Sequence, residues 1–333
     1  MDDNELIGLG SPADLGALDT GSGICSAIGR TPLVRLSRVL PETTCHIYGK
    51  LEMMNPGGSA KDRPALRIMR EAIRTGEIRR GTTVIESSSG NMAVSLAQIC
   101  LYLGLRFICV VDPRTTESHL RLIRQLQGQI ELVEKPDSAS GDYLLARIKR
   151  VQRLREEIGD CYWTNQYGNP NNYMAHYDTT MPEILEALPH LDYLFCGVSS
   201  CGTIRGCAER LKDERRATKI IAVDAQGSVI FGGAKGVRRL PGLGAAISPS
   251  LSRQDLIDQV VYVSERDCIE GCKELLRTEG ILAGASSGGV IAAIRAMSSE
   301  IPDGAVCAAV LPDRGERYLD TVYNEEWVSA NVP

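Results

Sequence analysis

The 333-residue sequence lacks the features that mark proteins of membranes, nucleic acids or metal centres. No apolar stretch approaches the ~20 residues of a membrane span, and the N-terminus has no basic segment followed by an apolar one. The net charge of -5 contains no long run of one sign, which argues against a nucleic-acid groove or a basic membrane surface. There is no Cys-x-x-Cys, and no histidine is paired with a cysteine at ligand spacing. We therefore expect a soluble cytoplasmic protein without a metal site.

The 11 cysteines are odd in number and scattered, so they do not indicate a disulfide framework. Several of them, including Cys100, Cys109, Cys196 and Cys307, lie inside apolar runs. A cysteine in such a run behaves as a small hydrophobic residue. The pattern predicts reduced thiols in the core.

Short apolar runs alternate with helical patterns along most of the chain. The run at residues 107–111 is continuous, as expected for a strand that is covered on both faces of its sheet. After residue 61, by contrast, apolar residues recur at spacings of three and four, and Gly76 follows as a helix stop. The alternation predicts an α/β fold with mostly parallel sheets and right-handed crossovers.

The length suggests about two domains, each large enough for its own core. Residues 1–21 are polar and weakly patterned, which predicts a flexible N-terminal arm. No repeat or Pro-rich linker separates the halves, and the best boundary lies near residues 158–162.

One stretch, NPGGSAKDR at residues 55–63, sets Lys61 in a turn of small residues directly before a predicted helix. A lysine held in this way can present its amine to a carbonyl compound in fixed geometry, as Schiff-base chemistry requires. Taken alone, the lysine is more simply a solvated residue in the first turn of a helix. The rest of the chain must decide between these readings.

Three further turns share one design, in which an apolar strand ends, small residues turn and a helix begins. The free N–H groups and the dipole at a helix start favour anions. Residues 199–203 could hold a phosphate, and residues 87–91 could hold an amino-acid carboxylate, although each turn could also be an ordinary helix cap. Residues 286–289 give the weakest signal. Neither the dinucleotide fingerprint nor the nucleotide P-loop is present.

A reactive lysine, a turn for a phosphate and a turn for a carboxylate are together the groups that would bind pyridoxal phosphate and an amino-acid substrate. At this point the chain resembles the cysteine synthase and cystathionine β-synthase group of fold-type II pyridoxal-phosphate enzymes, from about Ile28 to Tyr323. The shared motifs are NPxxSxKDR at 55–63, SGN at 89–91, NQYxNP at 165–170, PEI at 182–184, GLG at 242–244 and GERYL at 315–319.

The resemblance implies the tryptophan synthase β-like architecture, with two three-layer α/β/α domains. Residues 22–50 and 158–333 would form the larger, cofactor-phosphate-binding domain, and residues 51–157 a smaller mobile domain that closes on the substrate. Family members are usually homodimers, and we expect the same here.

The resemblance also implies a role for each matching residue. Lys61 would form the covalent link to the cofactor and remove the substrate Cα proton, while Asn91 would bond the cofactor's phenolic oxygen. Ser286 would face the pyridine nitrogen. The cofactor phosphate would bind the loop Ser199, Ser200, Cys201, Gly202 and Thr203. The substrate carboxylate would bind the loop that contains Ser88, Ser89, Asn91 and Met92, with help from Gln166.

The chain departs from the sulfur enzymes at several of these positions. The phosphate loop reads SSCGT where GTGGT is common, Met92 follows the asparagine where threonine is usual, and Tyr167 replaces phenylalanine. A narrower resemblance, to the N-(2-amino-2-carboxyethyl)-L-glutamate synthases, fits these changes. It rests on EKPD at 134–137, YLxxRI at 143–148, WxNQY at 163–167, VDAxGSVIFG at 223–232 and LPDRG at 311–315.

That resemblance implies that O-phospho-L-serine loses phosphate and that the amine of L-glutamate takes its place, which yields a precursor of 2,3-diaminopropionate for siderophore or antibiotic pathways. Such anionic substrates call for extra donors and a guanidinium. The candidates are Arg147, Tyr167 and Ser199, with Arg314 as a weaker one. Arg147 could instead extend into solvent from its helix.

Three other functions stay open at this point. A sulfhydrylase would use sulfide with O-phosphoserine or O-acetylserine, and a lyase would release pyruvate and ammonia. A regulatory protein that binds the cofactor without turnover is disfavoured, because every catalytic position is filled.

Overall fold

The computed structural model describes residues 18–332, and it contains two sheets that are both covered by helices. The strands are β1 Leu33–Arg35, β2 His46–Leu51, β3 Thr83–Ser87, β4 Phe107–Val111, β5 Gln129–Leu132, β6 Cys161–Trp163, β7 Tyr193–Gly197, β8 Lys219–Ala225, β9 Gln259–Val263 and β10 Val306–Leu311. The helices are α1 Gly23–Ser26, α2 Asp62–Arg74, α3 Asn91–Leu103, α4 Glu117–Gln125, α5 Tyr143–Ile158, α6 Asn171–Ala175, α7 Met181–Ala187, α8 Gly202–Asp213, α9 Glu265–Glu279, α10 Ala285–Ala296 and α11 Glu325–Asn331. A π-helical turn, His176–Thr180, joins α6 to α7.

The larger sheet has the strand order β1-β2-β10-β7-β8-β9, and only the β1–β2 pair is antiparallel. The smaller sheet has the order β5-β4-β3-β6 and is parallel throughout. The predicted α/β fold with mostly parallel sheets is confirmed.

Alternate residues of the central strands enter different cores, as expected when a sheet lies between two helical layers. Along β7, Phe195 belongs to one apolar cluster with residues of α9 and α10, and Cys196 belongs to another with residues of α7 and α8. Along β4, Cys109 packs with α2 and α3, whereas Val110 packs with α5. Each sheet is therefore the middle of three layers. All eleven cysteines are free thiols, and nine of them are buried.

Strand β6 is an element that the sequence pattern does not predict. It lies at the predicted boundary near residues 158–162, where Cys161–Trp163 pairs with β3 and extends the smaller sheet. The run is only three residues long and partly exposed, so it carries little apolar pattern. The division into two domains and the closing motion stay predictions, and residues 1–17 of the predicted arm lie outside the described residues.

A buried ion-pair network anchors the start of α2. The guanidinium of Arg63 donates from Nε to Glu52 Oε2 at 2.7 Å and from Nη1 to Glu183 Oε1 at 2.6 Å. Lys50 Nζ donates to Glu183 Oε2 at 2.6 Å. Burial works against all these charges, but Arg63 and Lys50 still lower the pKa of Glu183 to about 2. The network joins β2, α2 and α7, and thereby fixes the segment that carries Lys61.

Replacing Arg63 with methionine should lower the free energy of unfolding by ~3–5 kcal/mol, because Glu52 would stay buried without a positive partner and Glu183 would keep Lys50 alone. Denaturant titration measures this change. The matched control is Arg74→Met on the same helix, whose side chain is 71% exposed and pairs only with Glu71; it should cost less than ~1 kcal/mol. Equal effects of the two substitutions would contradict the anchoring role.

The pH dependence follows from the depressed pKa of Glu183. Its contribution to stability is complete above the ordinary carboxyl pKa of 4.5 and is lost as the pH falls toward about 2. Arg63→Met should flatten this part of the acid-unfolding curve.

Candidate functional site

Most of the predicted site residues line one cavity, which lies at the carboxyl ends of parallel strands. The loops that follow β2, β3, β7 and β10 all open into it, because parallel strands end at the same edge of their sheet. The cavity has a volume of about 990 Å³, which includes the open space at its mouth. Of the predicted residues, it is lined by Lys61, Ser88, Ser89, Asn91, Met92, Gln166, Tyr167, Ser199, Ser200, Cys201, Gly202, Thr203 and Ser286.

Lys61 lies immediately before α2, on a loop that is held at several points. Asn55 donates from Nδ2 to the carbonyl of Glu52 at 2.8 Å, and the N–H of Ala60 donates to the carbonyl of Pro312 at 2.8 Å. The Lys61 amine lies 3.3 Å from Ser200 Oγ, within the cavity. Burial lowers the pKa of this amine below its ordinary value of 10.5. A larger fraction of the amine is therefore uncharged and nucleophilic.

The predicted phosphate loop leads into α8, which begins at Gly202. Gly202 has no room for a side chain, since a Cβ there would lie 2.0 Å from Asn172 Oδ1. Cys201 caps the helix in the left-handed conformation, with φ of 64°. Asn172 in turn donates from Nδ2 to Ser200 Oγ at 3.3 Å. The loop thus directs backbone N–H groups and the Ser200 and Thr203 hydroxyls toward one place, as anion binding requires.

Asn91 begins α3 at the other side of the cavity, and both ends of its amide are held. Its Nδ2 donates to Asp313 Oδ2 at 2.8 Å, and its Oδ1 accepts from Arg317 Nη1. Tyr318 also donates to Asp313 Oδ2, at 2.7 Å. These contacts fix which way the amide faces. They also place an arginine and a carboxylate directly behind the cavity wall.

Gln166 is held by two hydrogen bonds, and Ser286 is placed by the start of a helix. The N–H of Gln166 donates to Glu86 Oε2 at 3.1 Å, and its side-chain Nε2 donates to the carbonyl of Ser87 at 3.3 Å. Ser286 lies in the first turn of α10, which begins at Ala285, so the predicted turn at residues 286–289 is already helical.

Arg147 and Arg314 are the two candidates that do not line the cavity. Arg147 is on α5 with 7% of its side chain exposed, so the alternative that it extends into solvent is wrong. Its Nε lies 3.4 Å from Asp112 Oδ2. Arg314 is exposed and donates from Nε to the carbonyl of Met53 at 3.0 Å.

Sequence reasoning missed several residues that the structure brings to the site. Asp313 was recognised only as part of a motif, although its place directly after the apolar strand β10 was a usable signal. His119, on α4, also lines the cavity, and no local pattern marks it. Within residues 18–332, no group of three or more His, Cys, Asp or Glu side chains could hold a metal ion. No helix in that range is both long and apolar enough to cross a membrane.

These residues fit pyridoxal phosphate. A lysine amine whose pKa is lowered by burial could bind its aldehyde, the helix start of α8 its phosphate, and the serine at the start of α10 its ring nitrogen. At Gly202 a Cβ would lie 2.0 Å from Asn172 Oδ1, so the loop can offer only backbone at this point. The group would be held by Lys61, by residues 199–203, by Asn91 and by Ser286.

Replacing Asp313 with asparagine should weaken cofactor binding about 10-fold, since Asn91 would lose a charge-assisted hydrogen bond of ~1.5–3 kcal/mol. The visible absorbance of the bound cofactor should shift as well. Titration of the cofactor-free protein, followed by absorbance, measures both effects. The matched control is Asp320→Asn, at an exposed position nearby. An Asp313 variant with wild-type affinity and spectrum would show that Asn91 does not depend on this carboxylate.

Comparison with known proteins gives the same assignment. The family described as pyridoxal-phosphate dependent enzymes matches residues 24–313. The N-(2-amino-2-carboxyethyl)-L-glutamate synthase of Ralstonia nicotianae is 45% identical over 307 residues, which cover 92% of this chain and 90% of that protein.

Two solved structures share the fold. The O-ureido-L-serine synthase superposes with a TM-score of 0.84 at 32% identity, over 93% of this chain and 95% of the other. The O-acetylserine dependent cystathionine β-synthase of Helicobacter pylori gives a TM-score of 0.83 at 32% identity, over 90% of this chain and 98% of its own. With its family motifs gathered around one cavity, this chain belongs to the pyridoxal-phosphate dependent enzymes, in the fold of the cysteine synthase group.

Proposed function

We propose that the protein catalyses a β-substitution in which L-glutamate displaces the phosphate of O-phospho-L-serine. The products are N-(2-amino-2-carboxyethyl)-L-glutamate, a precursor of 2,3-diaminopropionate, and inorganic phosphate. The observation that carries the choice of second substrate is Arg147, a buried guanidinium beside the cavity. The relative from R. nicotianae, whose name states this product, supports the same choice.

Arg147 is a charged group whose hydrogen-bonding capacity is not filled. Its Nε and Nη1 are buried donors that have no hydrogen-bond acceptor among residues 18–332. Its one close anion, Asp112, is shared with Arg114, whose Nε lies 3.1 Å from Asp112 Oδ1. A buried charge with unused donors is costly, and an anionic ligand would remove much of that cost. A sulfide substrate would not remove that cost.

Tyr167 connects this charge to the cavity that it lines. Burial raises the pKa of the Tyr167 hydroxyl, and so does the negative charge of Glu86, whereas the positive charges of Arg147 and Arg238 lower it. The hydroxyl therefore stays protonated as a donor, with two guanidinium groups in its surroundings. A dicarboxylic amino acid suits such a wall better than a neutral or cationic one. Ser199, at the start of the phosphate loop, adds a further hydroxyl.

The remaining residues take roles that follow from their positions. Pyridoxal phosphate, when bound, supplies the electron sink that lets the bonds at Cα and Cβ break. Lys61 takes the Cα proton, because it carries the one amine among the lining residues and burial lowers the pKa of that amine. Ser88, Ser89, Met92 and Gln166 surround the substrate carboxylate. The neutral Ser286 hydroxyl leaves the ring nitrogen unprotonated, which favours loss of a good leaving group.

The alternatives are a sulfhydrylase and a serine-type ammonia lyase. The same scaffold carries other nucleophiles in its structural relatives, among them the O-ureido-L-serine synthase. Neither alternative gives Arg147 a ligand. The proposal includes a cytoplasmic homodimer that serves a siderophore or antibiotic pathway.

To test the reaction, the purified enzyme is incubated with O-phosphoserine alone, with added glutamate or with added sulfide, and the products are read by mass. We expect the glutamate adduct and a stoichiometric amount of phosphate. Cysteine from sulfide without any adduct would establish the sulfhydrylase instead, and pyruvate in all three mixtures would establish the lyase.

Arg147→Met should raise the KM for glutamate about 10- to 100-fold, which corresponds to the loss of a charged hydrogen bond. Asp112 would keep Arg114 as its partner, so the substitution does not leave that carboxylate unpaired. The cofactor absorbance should not change. Arg153→Met, exposed on the same helix, is the control. A wild-type KM in the Arg147 variant would remove Arg147 from the site.

A further inference from the structure

The imidazole of His119 lines the cavity, but His119 belongs to none of the family motifs and has no role in the proposed reaction. His119 lies on α4 and is 3% exposed. Its Nδ1 lies 2.6 Å from Thr116 Oγ1. Its Nε2 is buried and has no hydrogen-bond partner among the described residues. A buried polar atom of this kind calls for a ligand, since it loses water without gaining a replacement.

The residues behind His119 hold its ring in place. Thr116 Oγ1 also lies 3.1 Å from Ser118 Oγ, so the two hydroxyls and the imidazole form a chain. When each hydroxyl donates to the next member, Nδ1 is an acceptor and the proton is on Nε2. The free end of the chain is then an N–H donor that belongs to the cavity wall.

Burial keeps the imidazole of His119 neutral, and a nearby positive charge adds to this effect. Burial, and secondarily the positive charge of Arg317, lowers the pKa of His119 to about 4. The imidazole therefore carries one N–H at neutral pH. A neutral imidazole in a positive field is an effective donor to an oxygen that gains negative charge.

The proposed reaction brings three anionic groups into the cavity. The cofactor phosphate has the loop at residues 199–203, and the substrate carboxylate has the loop at residues 88–92. The phosphate of O-phosphoserine is bound by neither of these loops. The lining residues include one lysine, Lys61, and no arginine. Lys61 is already engaged at the substrate Cα. His119 is the lining side chain that still has a free nitrogen.

We propose that His119 Nε2–H donates a hydrogen bond to the departing phosphate of the first substrate. As the Cβ–O bond breaks, its electron pair goes to the phosphate oxygen, and the hydrogen bond from His119 becomes stronger as that oxygen gains charge. The proton from Cα stays on Lys61. This inference rests on the proposed use of O-phosphoserine, but not on the identity of the second substrate.

The test is phosphate release in a single turnover without a second substrate, measured for the cofactor-loaded wild type and for His119→Leu and His119→Gln. Leucine should slow release about 100-fold, because the oxygen loses a donor that acts in the transition state. Glutamine, whose amide N–H can reach the place of Nε2, should restore most of the rate. His190→Gln, at a histidine whose side chain is 80% exposed, should behave as wild type.

A comparison of leaving groups separates this role from a structural one. With O-acetylserine, the loss in His119→Leu should be much smaller than with O-phosphoserine, while the cofactor absorbance before substrate addition stays that of wild type. Equal losses with both substrates, or no loss with either, would overturn the proposal. If the leucine variant does not fold, His119→Glu takes its place. Phosphate release should be far slower with glutamate, an anionic acceptor, than with glutamine at this position. Equal rates of release in these two variants would again overturn the proposal.

The same experiment distinguishes the two proposals. Wild-type enzyme that releases phosphate but forms no adduct with glutamate contradicts the proposed function and leaves the role of His119 intact. An enzyme that forms the adduct, and in which all His119 variants release phosphate at the wild-type rate, contradicts only the role of His119.

Discussion

The site depends on the carboxyl ends of the parallel strands, which lie at one edge of each sheet and, for strands of both sheets, end at the same cavity. Strands β3 and β7 each end at the cavity and pass directly into a small-residue loop and a helix start. Strand β10 ends beside them and delivers Asp313. The strand order of the two sheets, rather than any local sequence, brings two small-residue helix starts and Lys61 to one cavity, with the buried carboxylate of Asp313 behind its wall.

Burial determines how the charged groups of the site behave. Arg63 is buried with Glu52 and Glu183 and serves to anchor the loop before α2. Lys61 is placed where burial favours its uncharged form. Arg147 and His119 differ from both, because each keeps buried nitrogen atoms without hydrogen-bond partners in the described chain. Groups with filled hydrogen bonds support the fold, and groups with unused ones indicate where ligands bind.

Much of the fold and of the cofactor site could be predicted from local sequence. The apolar run at β4 and the lysine loop have signals within a few residues, and the helix starts of α3 and α8 follow small-residue turns. Strand β6 could not be predicted, because three partly exposed residues have no clear period. The burial of Arg147 and the free Nε2 of His119 could not be predicted either, since both arise from segments that pack together from distant parts of the chain. Such residues become visible only when the hydrogen bonds are counted in three dimensions.

We propose that the chemistry passes through Lys61 in this cavity. The most direct measurement is to treat the purified, yellow protein with borohydride, digest it and locate the cofactor by peptide mass. The account predicts a single labelled peptide that carries the cofactor on Lys61, and no label in a Lys61→Ala variant. A label on another lysine, or a colourless protein that takes up no pyridoxal phosphate, would contradict it.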